Sequence, residues 1–106
     1  MIDEARMQEL YDEAIIDCYG EEEEFAGLMA CLGDNVTFPL MATLAGTKVE
    51  VLGLDEAASN PYRGIRAKIR RDGKEYLASL ADLIFDNPDE TSAEWLAMYK
   101  WIGDRR

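Results

Sequence analysis

Residues 19–25 read YGEEEEF: four consecutive glutamates, Glu21–Glu24, directly behind a glycine, in a chain that has no histidine. Carboxylates in such a run can serve two ends. At the start of a helix they are favoured by the macrodipole, by roughly 0.3–1 kcal/mol each. At a break in the chain they offer hard oxygen ligands, of which Ca²⁺ takes about 6 to 8 in flexible geometry. The run has acidic company on both sides, with Asp17 before it and Asp34 after it, each at or near an interruption of the helical pattern. Asp17, Glu21, Glu22, Glu23, Glu24 and Asp34 thus offer carboxylates that could converge on a hard divalent cation such as Ca²⁺, with water and backbone oxygens completing the shell. No stretch matches D-x-[DN]-x-[DN]-G followed by the spaced glutamate, which excludes an EF-hand. On these residues alone the solvated helix start and the cation site both stand.

The charge distribution sharpens the choice. The net charge is −11 over 106 residues. Residues 1–34 hold eleven carboxylates and one cation, Arg6, for −10; residues 35–85 come to +1 and the last 21 residues to −2. A field of that sign draws cations and repels nucleic acid and anionic membrane. The basic residues Arg63, Arg66, Lys68, Arg70, Arg71 and Lys74 fall together, but only Tyr62 and Tyr76 accompany them. That is poor aromatic interleaving for a nucleic-acid surface, and a solvated sheet face is the simpler reading. No membrane partner is expected either, because no apolar run approaches the roughly 18 residues that a spanning helix needs.

Other chemistry finds little support. Cys18 and Cys31 sit inside apolar stripes and read as small buried hydrophobes in a reducing compartment. Two thiols without histidine do not complete a zinc shell, and a Cys–His nucleophile pair is excluded. No GxSxG, P-loop or dinucleotide motif occurs. Carboxylates are abundant, but no pair is marked out for work across a cleft. The chain is read as a non-enzyme. Its first residues, MIDEARMQEL, are too acidic for a signal peptide, and the expected location is cytoplasmic.

The elements that must position these residues follow from periodicity. Met7, Leu10, Tyr11, Ala14, Ile15 and Cys18 recur at helical spacing and predict a first helix from Ile2 to Tyr19. Its acidic ridge is Glu9, Glu13 and Asp17, with Asp12 beside it. Gly20 interrupts, and Phe25, Leu28, Met29 and Leu32 predict a second helix from about Glu21 to Leu32, stopped by Gly33, Asp34 and Asn35. The period then becomes two: Val36 to Leu44 reads as a strand carrying Pro39, AGT (45–47) as a turn, and KVEVLGL as a second strand. Residues 55–62 read as a loop. Asp72-Gly73 predicts a two-residue type I′ hairpin that sets Ile69 opposite Tyr76, Ala67 opposite Ala78 and Ile65 opposite Leu80. Thr91 and Glu94 have capping-box spacing ahead of a C-terminal helix bearing Trp95, Tyr99 and Ile102. The predicted class is α+β in a single domain over residues 1–106. An N-terminal helical hairpin or bent helix comes first, then a small antiparallel sheet with the option of an SH3-like barrel, then a short C-terminal helix.

Taken together, EAIIDCYGEEEEFAGLMACLGDNVTFPLMATL, VEVLGLDE, RGIRAKIRRDGKEYLASLADL and DETSAEWLAMYKWIG resemble the small cyanobacterial-type calcium-binding proteins called CcbP. The resemblance is collinear over nearly the whole chain. It rests on Asp17-Cys18-Tyr19-Gly20, Glu21 to Glu23, Leu32-Gly33-Asp34, Phe38-Pro39-Leu40, Val49-Glu50-Val51, Asp72-Gly73-Lys74-Glu75 and Trp95 to Trp101. It implies binding or buffering of intracellular Ca²⁺. The pattern departs at Gly33, where the family has a glutamate beside the helix-end aspartate, so one potential ligand is missing here. Gly27, Leu28, Met29 and Ala30 stand in place of an aromatic cluster. The expectation is a non-EF-hand calcium-binding or buffering protein. The alternative is a non-enzymatic module, built on the small barrel, that binds a protein partner and has lost calcium binding.

Overall fold

The computed structural model describes residues 3–105. These gather into two compact units: the described residues up to Val36 together with those from Asp89 onward, and Thr37–Pro88. The first is helical and holds the acidic third; the second is a sheet.

In the helical unit, α1 (Glu4–Ala14) starts on Asp3, whose carboxylate accepts from the backbone N–H of Ala5 at 3.0 Å and of Arg6 at 3.4 Å. Met7, Leu10 and Ala14 are buried, as the helical stripe requires. The helix ends five residues before the expected Tyr19, and residues 15–17 form a turn. Asp17 has φ 59°. A residue in the left-handed region interrupts a helical run, and aspartate is among the few non-glycine residues that accept it. Asp17 is therefore no part of a helical ridge with Glu9 and Glu13.

Helix α2 (Glu21–Asn35) runs three residues past the expected stop. A helix-interior glycine costs about 1 kcal/mol relative to alanine, and local bonds and burial offset it at Gly33. The Asn35 side chain donates to the Cys31 carbonyl at 2.8 Å, the Val36 N–H donates to the Leu32 carbonyl at 2.9 Å, and Val36 is buried. Helix α3 (Glu90–Arg105) packs against α1 and α2. It buries Trp95, Met98 and Ile102, with Tyr99 half-buried.

The expected Thr91–Glu94 capping box is not used. Asp89 caps α3 instead, accepting from the Ser92 hydroxyl at 2.6 Å and the Ser92 N–H at 3.1 Å. Glu94 turns to Arg6, which donates to it through Nε at 3.1 Å and Nη2 at 3.2 Å. Those bonds from Ser92, the hydroxyl first, hold the Asp89 carboxyl below the ordinary aspartate range. A depressed folded value means that the stabilisation is present above the unfolded value, about 3.9, and is lost as pH falls through the folded one. Asp89→Ala is thus expected to lower the melting temperature at neutral pH and to converge on the parent at acid pH, read by thermal melts down to about pH 2.5.

In the sheet unit, β1 (Leu40–Leu44), β2 (Thr47–Asn60), β3 (Gly64–Arg71), β4 (Lys74–Ser79) and β5 (Ile84–Phe85) pair antiparallel in the order β4-β3-β2-β1-β5. The sheet is open, with β4 and β5 at its edges, so it is not a closed SH3-like barrel. Strand β1 starts only at Leu40, after a cis Phe38–Pro39 bond. The Asp72-Gly73 hairpin has φ 53° and 76°, both positive as a type I′ turn demands, and pairs Ile69 with Tyr76 and Ala67 with Ala78. The ladder stops at Arg66–Ser79, because Leu80–Asp82 form a 3₁₀ turn in place of the expected Ile65–Leu80 pair. Ala42, Val49, Val51, Ile65, Ala67, Ile69 and Ala78 are buried.

Residues 55–60, expected as a loop, extend β2. The backbone register with β3 shifts between Asp55 and Asn60, and side chains keep the stretch bonded. Asp55 accepts from the Ala58 N–H at 3.0 Å, the Ser59 hydroxyl donates to the Asp55 carbonyl at 2.6 Å, and the Arg66 N–H donates to the Ser59 hydroxyl at 2.8 Å. The polar residues that suggested a loop are the ones that hold an irregular strand.

Candidate metal centre

The acidic run occupies the first turn of α2. Gly20, at φ 95°, is its N-cap and brings no side chain to it. Four first-turn carboxylates therefore meet the positive end of the helix dipole, the arrangement that the macrodipole favours. Glu21, Glu22 and Glu23 are exposed. Glu24 is half-buried and accepts from the Tyr11 hydroxyl at 3.3 Å, a tie between α2 and α1 that engages the fourth glutamate. Sequence reasoning missed Tyr11, which lies on the apolar stripe of α1 and gave no sign of a polar partner.

Asp17 is exposed in the turn that leads into this run. Asp34 is exposed too, but in the last turn of α2. It follows Glu21 by thirteen residues, which is about 20 Å along the axis at 1.5 Å per residue. One ion therefore cannot be shared by Asp34 and the glutamate run. Within the run, neighbours diverge by about 100° around the helix, so Glu21, Glu22 and Glu23 do not all face one point. Among the described residues no group of three or more Asp, Glu, Cys or His side chains lies together as a preformed metal shell. The donor set is all carboxylate oxygen, which suits a hard divalent cation, while convergence on an ion requires these exposed side chains to swing. Gly33 has open space around it, so the acidic side chain that the resemblance puts there would fit.

Several of the described cations are engaged with partners of their own. Arg6, the single cation of residues 1–34, is tied to Glu94 and to Glu9. In the sheet, Arg70 Nε donates to Glu50 at 3.0 Å, Lys68 lies 3.9 Å from Glu75, Lys48 pairs with Asp86, and Arg66 stands opposite Asp55. Part of the basic strand's charge is thus paired within its own sheet. The acidic third of the chain keeps its negative field for a cation from solution.

No curated protein matches the chain. A family model described as calcium binding, that of the CcbP proteins, matches residues 8–102. The crystal structure of CcbP from Anabaena is 25% identical and superposes with a TM-score of 0.81, over 96% of this chain and 92% of that one. A calcium-binding protein solved in its calcium-binding form is also 25% identical, with a TM-score of 0.82 over 97% of this chain and 92% of that one. With an acidic helical unit, an open antiparallel sheet and a family match over nearly its full length, this chain belongs to the CcbP family of calcium-binding proteins.

Proposed function

We propose that this protein binds Ca²⁺ without an EF-hand and acts as a non-enzymatic cytoplasmic calcium buffer. The match of residues 8–102 to a calcium-binding family carries the reading. The −10 charge of residues 1–34 supplies the attraction. Asp17 with carboxylates of the Glu21–Glu23 run forms one cation-binding end of α2. Asp34 belongs to a separate contact at the other end. Each ion keeps several waters, because few protein oxygens reach it. Calcium relieves the repulsion among these carboxylates and stabilises the folded state by mass action.

Calorimetric titration of chelator-treated protein with Ca²⁺ and Mg²⁺ tests this, beside Asp17→Asn and Asp34→Asn. Saturating Ca²⁺, about 100 times Kd, is expected to add about 2.7 kcal/mol, a rise in melting temperature on the order of 10 °C. Asp17→Asn and Asp34→Asn are each expected to weaken a different part of the isotherm. No heat and no melting shift at millimolar Ca²⁺ overturns the reading. An equal response to Mg²⁺, unmoved by both variants, reduces it to diffuse counterion attraction.

One observation favours a second reading, a protein-interaction module that has lost calcium: no three ligand-type side chains converge among the described residues. Met41, Leu77 and Ile84 are exposed on the sheet and would contribute to such a surface. A partner captured equally with and without chelator, from protein silent in the titration, identifies that case.

A further inference from the structure

Cys18 comes to rest against the face of α2 that also carries Cys31, a placement that the sequence does not advertise. A Cβ built on Gly27 would lie 3.0 Å from Cys18 Sγ. The Cys18 sulfur thus occupies the space where α2 carries no side chain. Cys31 follows Gly27 by four residues, and Cβ atoms at that spacing are about 5–6 Å apart on one helix face. Helical side chains lean toward the N-terminus, over the residue one turn back. The Cys31 thiol therefore leans over the same spot that the Cys18 sulfur fills. Burial first, and then the charges of Glu13, Asp34 and Cys18, push the Cys31 thiol above its ordinary value. Both cysteines are free and half-buried, within reach of a small oxidant. Cys18 also follows a non-helical turn, where a shift of the size needed for disulfide geometry is cheaper than within a helix.

We propose that Cys18 and Cys31 form a redox pair that closes to an intramolecular disulfide, linking the α1–α2 corner to the C-terminal half of α2. The oxidant is a hydroperoxide. One thiolate attacks the O–O bond, giving a sulfenic acid and, from hydrogen peroxide, one water. The second thiol then attacks the sulfenic sulfur; the S–S bond forms, the S–O bond breaks, and a second water leaves. Two thiols have lost two electrons and two protons, and the peroxide has taken them up. In a reducing compartment the pair rests as dithiol and closes only transiently, as redox-sensing cysteines do.

Peptide mapping of the intact wild-type chain tests the proposal. Reduced protein is treated with dilute hydrogen peroxide, remaining thiols are alkylated, and the chain is cut after glutamate, which cleaves within Glu21–Glu24 and separates the two cysteines. The expected result is a monomer with both thiols lost to alkylation, a peptide pair joining Cys18 to Cys31, and recovery of both thiols with dithiothreitol. Disulfide-linked dimers without the internal pair, or sulfinic and sulfonic acids on separate cysteines, overturn it. The outcome does not depend on whether the chain binds calcium.

Discussion

Replacing Leu32 with alanine is expected to lower the unfolding free energy by about 2–5 kcal/mol, the range for large-to-small changes at buried leucines. Leu32 is 0% exposed, in the C-terminal half of α2 on the stripe it shares with Phe25, Leu28 and Met29. Truncation there loses the transfer free energy of the removed methyl groups and adds the cost of whatever cavity remains. Helix–helix contacts offer limited room to collapse, since α2 is held both by α1, through Tyr11 and Glu24, and by α3. Against a total stability of about 5–15 kcal/mol, the variant is expected to melt on the order of 10–20 °C lower. Urea unfolding should show a lower midpoint with an unchanged slope. Leu77→Ala is the matched control: Leu77 is 50% exposed on edge strand β4, opposite Lys68. Its loss is expected to fall within about 0.5 kcal/mol of the parent. Equal effects at the two sites would contradict the assignment of Leu32 to the interior.

What the sequence discloses about this chain depends on how local the determining physics is. The Asp72-Gly73 hairpin was readable because two positive φ values demand a particular residue pair, and that demand is met within four residues. The helical stripes were readable because burial imposes its period directly on residue type. The end of α1, the length of β2 and the cap of α3 were not. Each depends on a competition between local signals that sequence alone leaves even: the left-handed Asp17 against a continuing stripe, the Asp55 and Ser59 side chains against a backbone ladder, Asp89 against Thr91. The candidate site divides the same way. Its charge and oxygen chemistry could be counted off the chain, whereas its geometry could not. Fifteen residues in one unbroken helix put Asp34 and Glu21 at opposite ends. The stop signal at Gly33 had suggested a break there, with the carboxylates free to gather around it. The Cys18–Gly27 approach was hidden for another reason. A glycine on a helix face is silent about what comes to rest against it.

The two glycines inside α2 are expected to respond to the same substitution with opposite signs. At Gly33 a Cβ meets nothing within 4 Å. Gly33→Ala is therefore expected to stabilise by about 0.5–1 kcal/mol, the entropic penalty of a mid-helix glycine removed. At Gly27 the added Cβ would lie 2.4 Å from the Ala14 carbonyl oxygen and 3.0 Å from Cys18 Sγ. The sulfur can rotate away, but the carbonyl is backbone at the end of α1 and yields only if the helix pair opens. The propensity gain of about 0.8–1.0 kcal/mol is present here as well. Overpacking of this kind costs about 1–3 kcal/mol and more when backbone must move, so Gly27→Ala is expected to be net destabilising and Gly27→Val more so. Urea unfolding of the three variants beside the parent gives the ordering directly. Stabilisation by Gly27→Ala would mean that α1 and α2 do not approach as closely as the Ala14 carbonyl requires, and the meeting of Cys18 with the face of Cys31 would fall with it. Destabilisation at Gly27 alone makes that glycine the reason α1 can end where it does, directly against the helix whose first turn carries the glutamates.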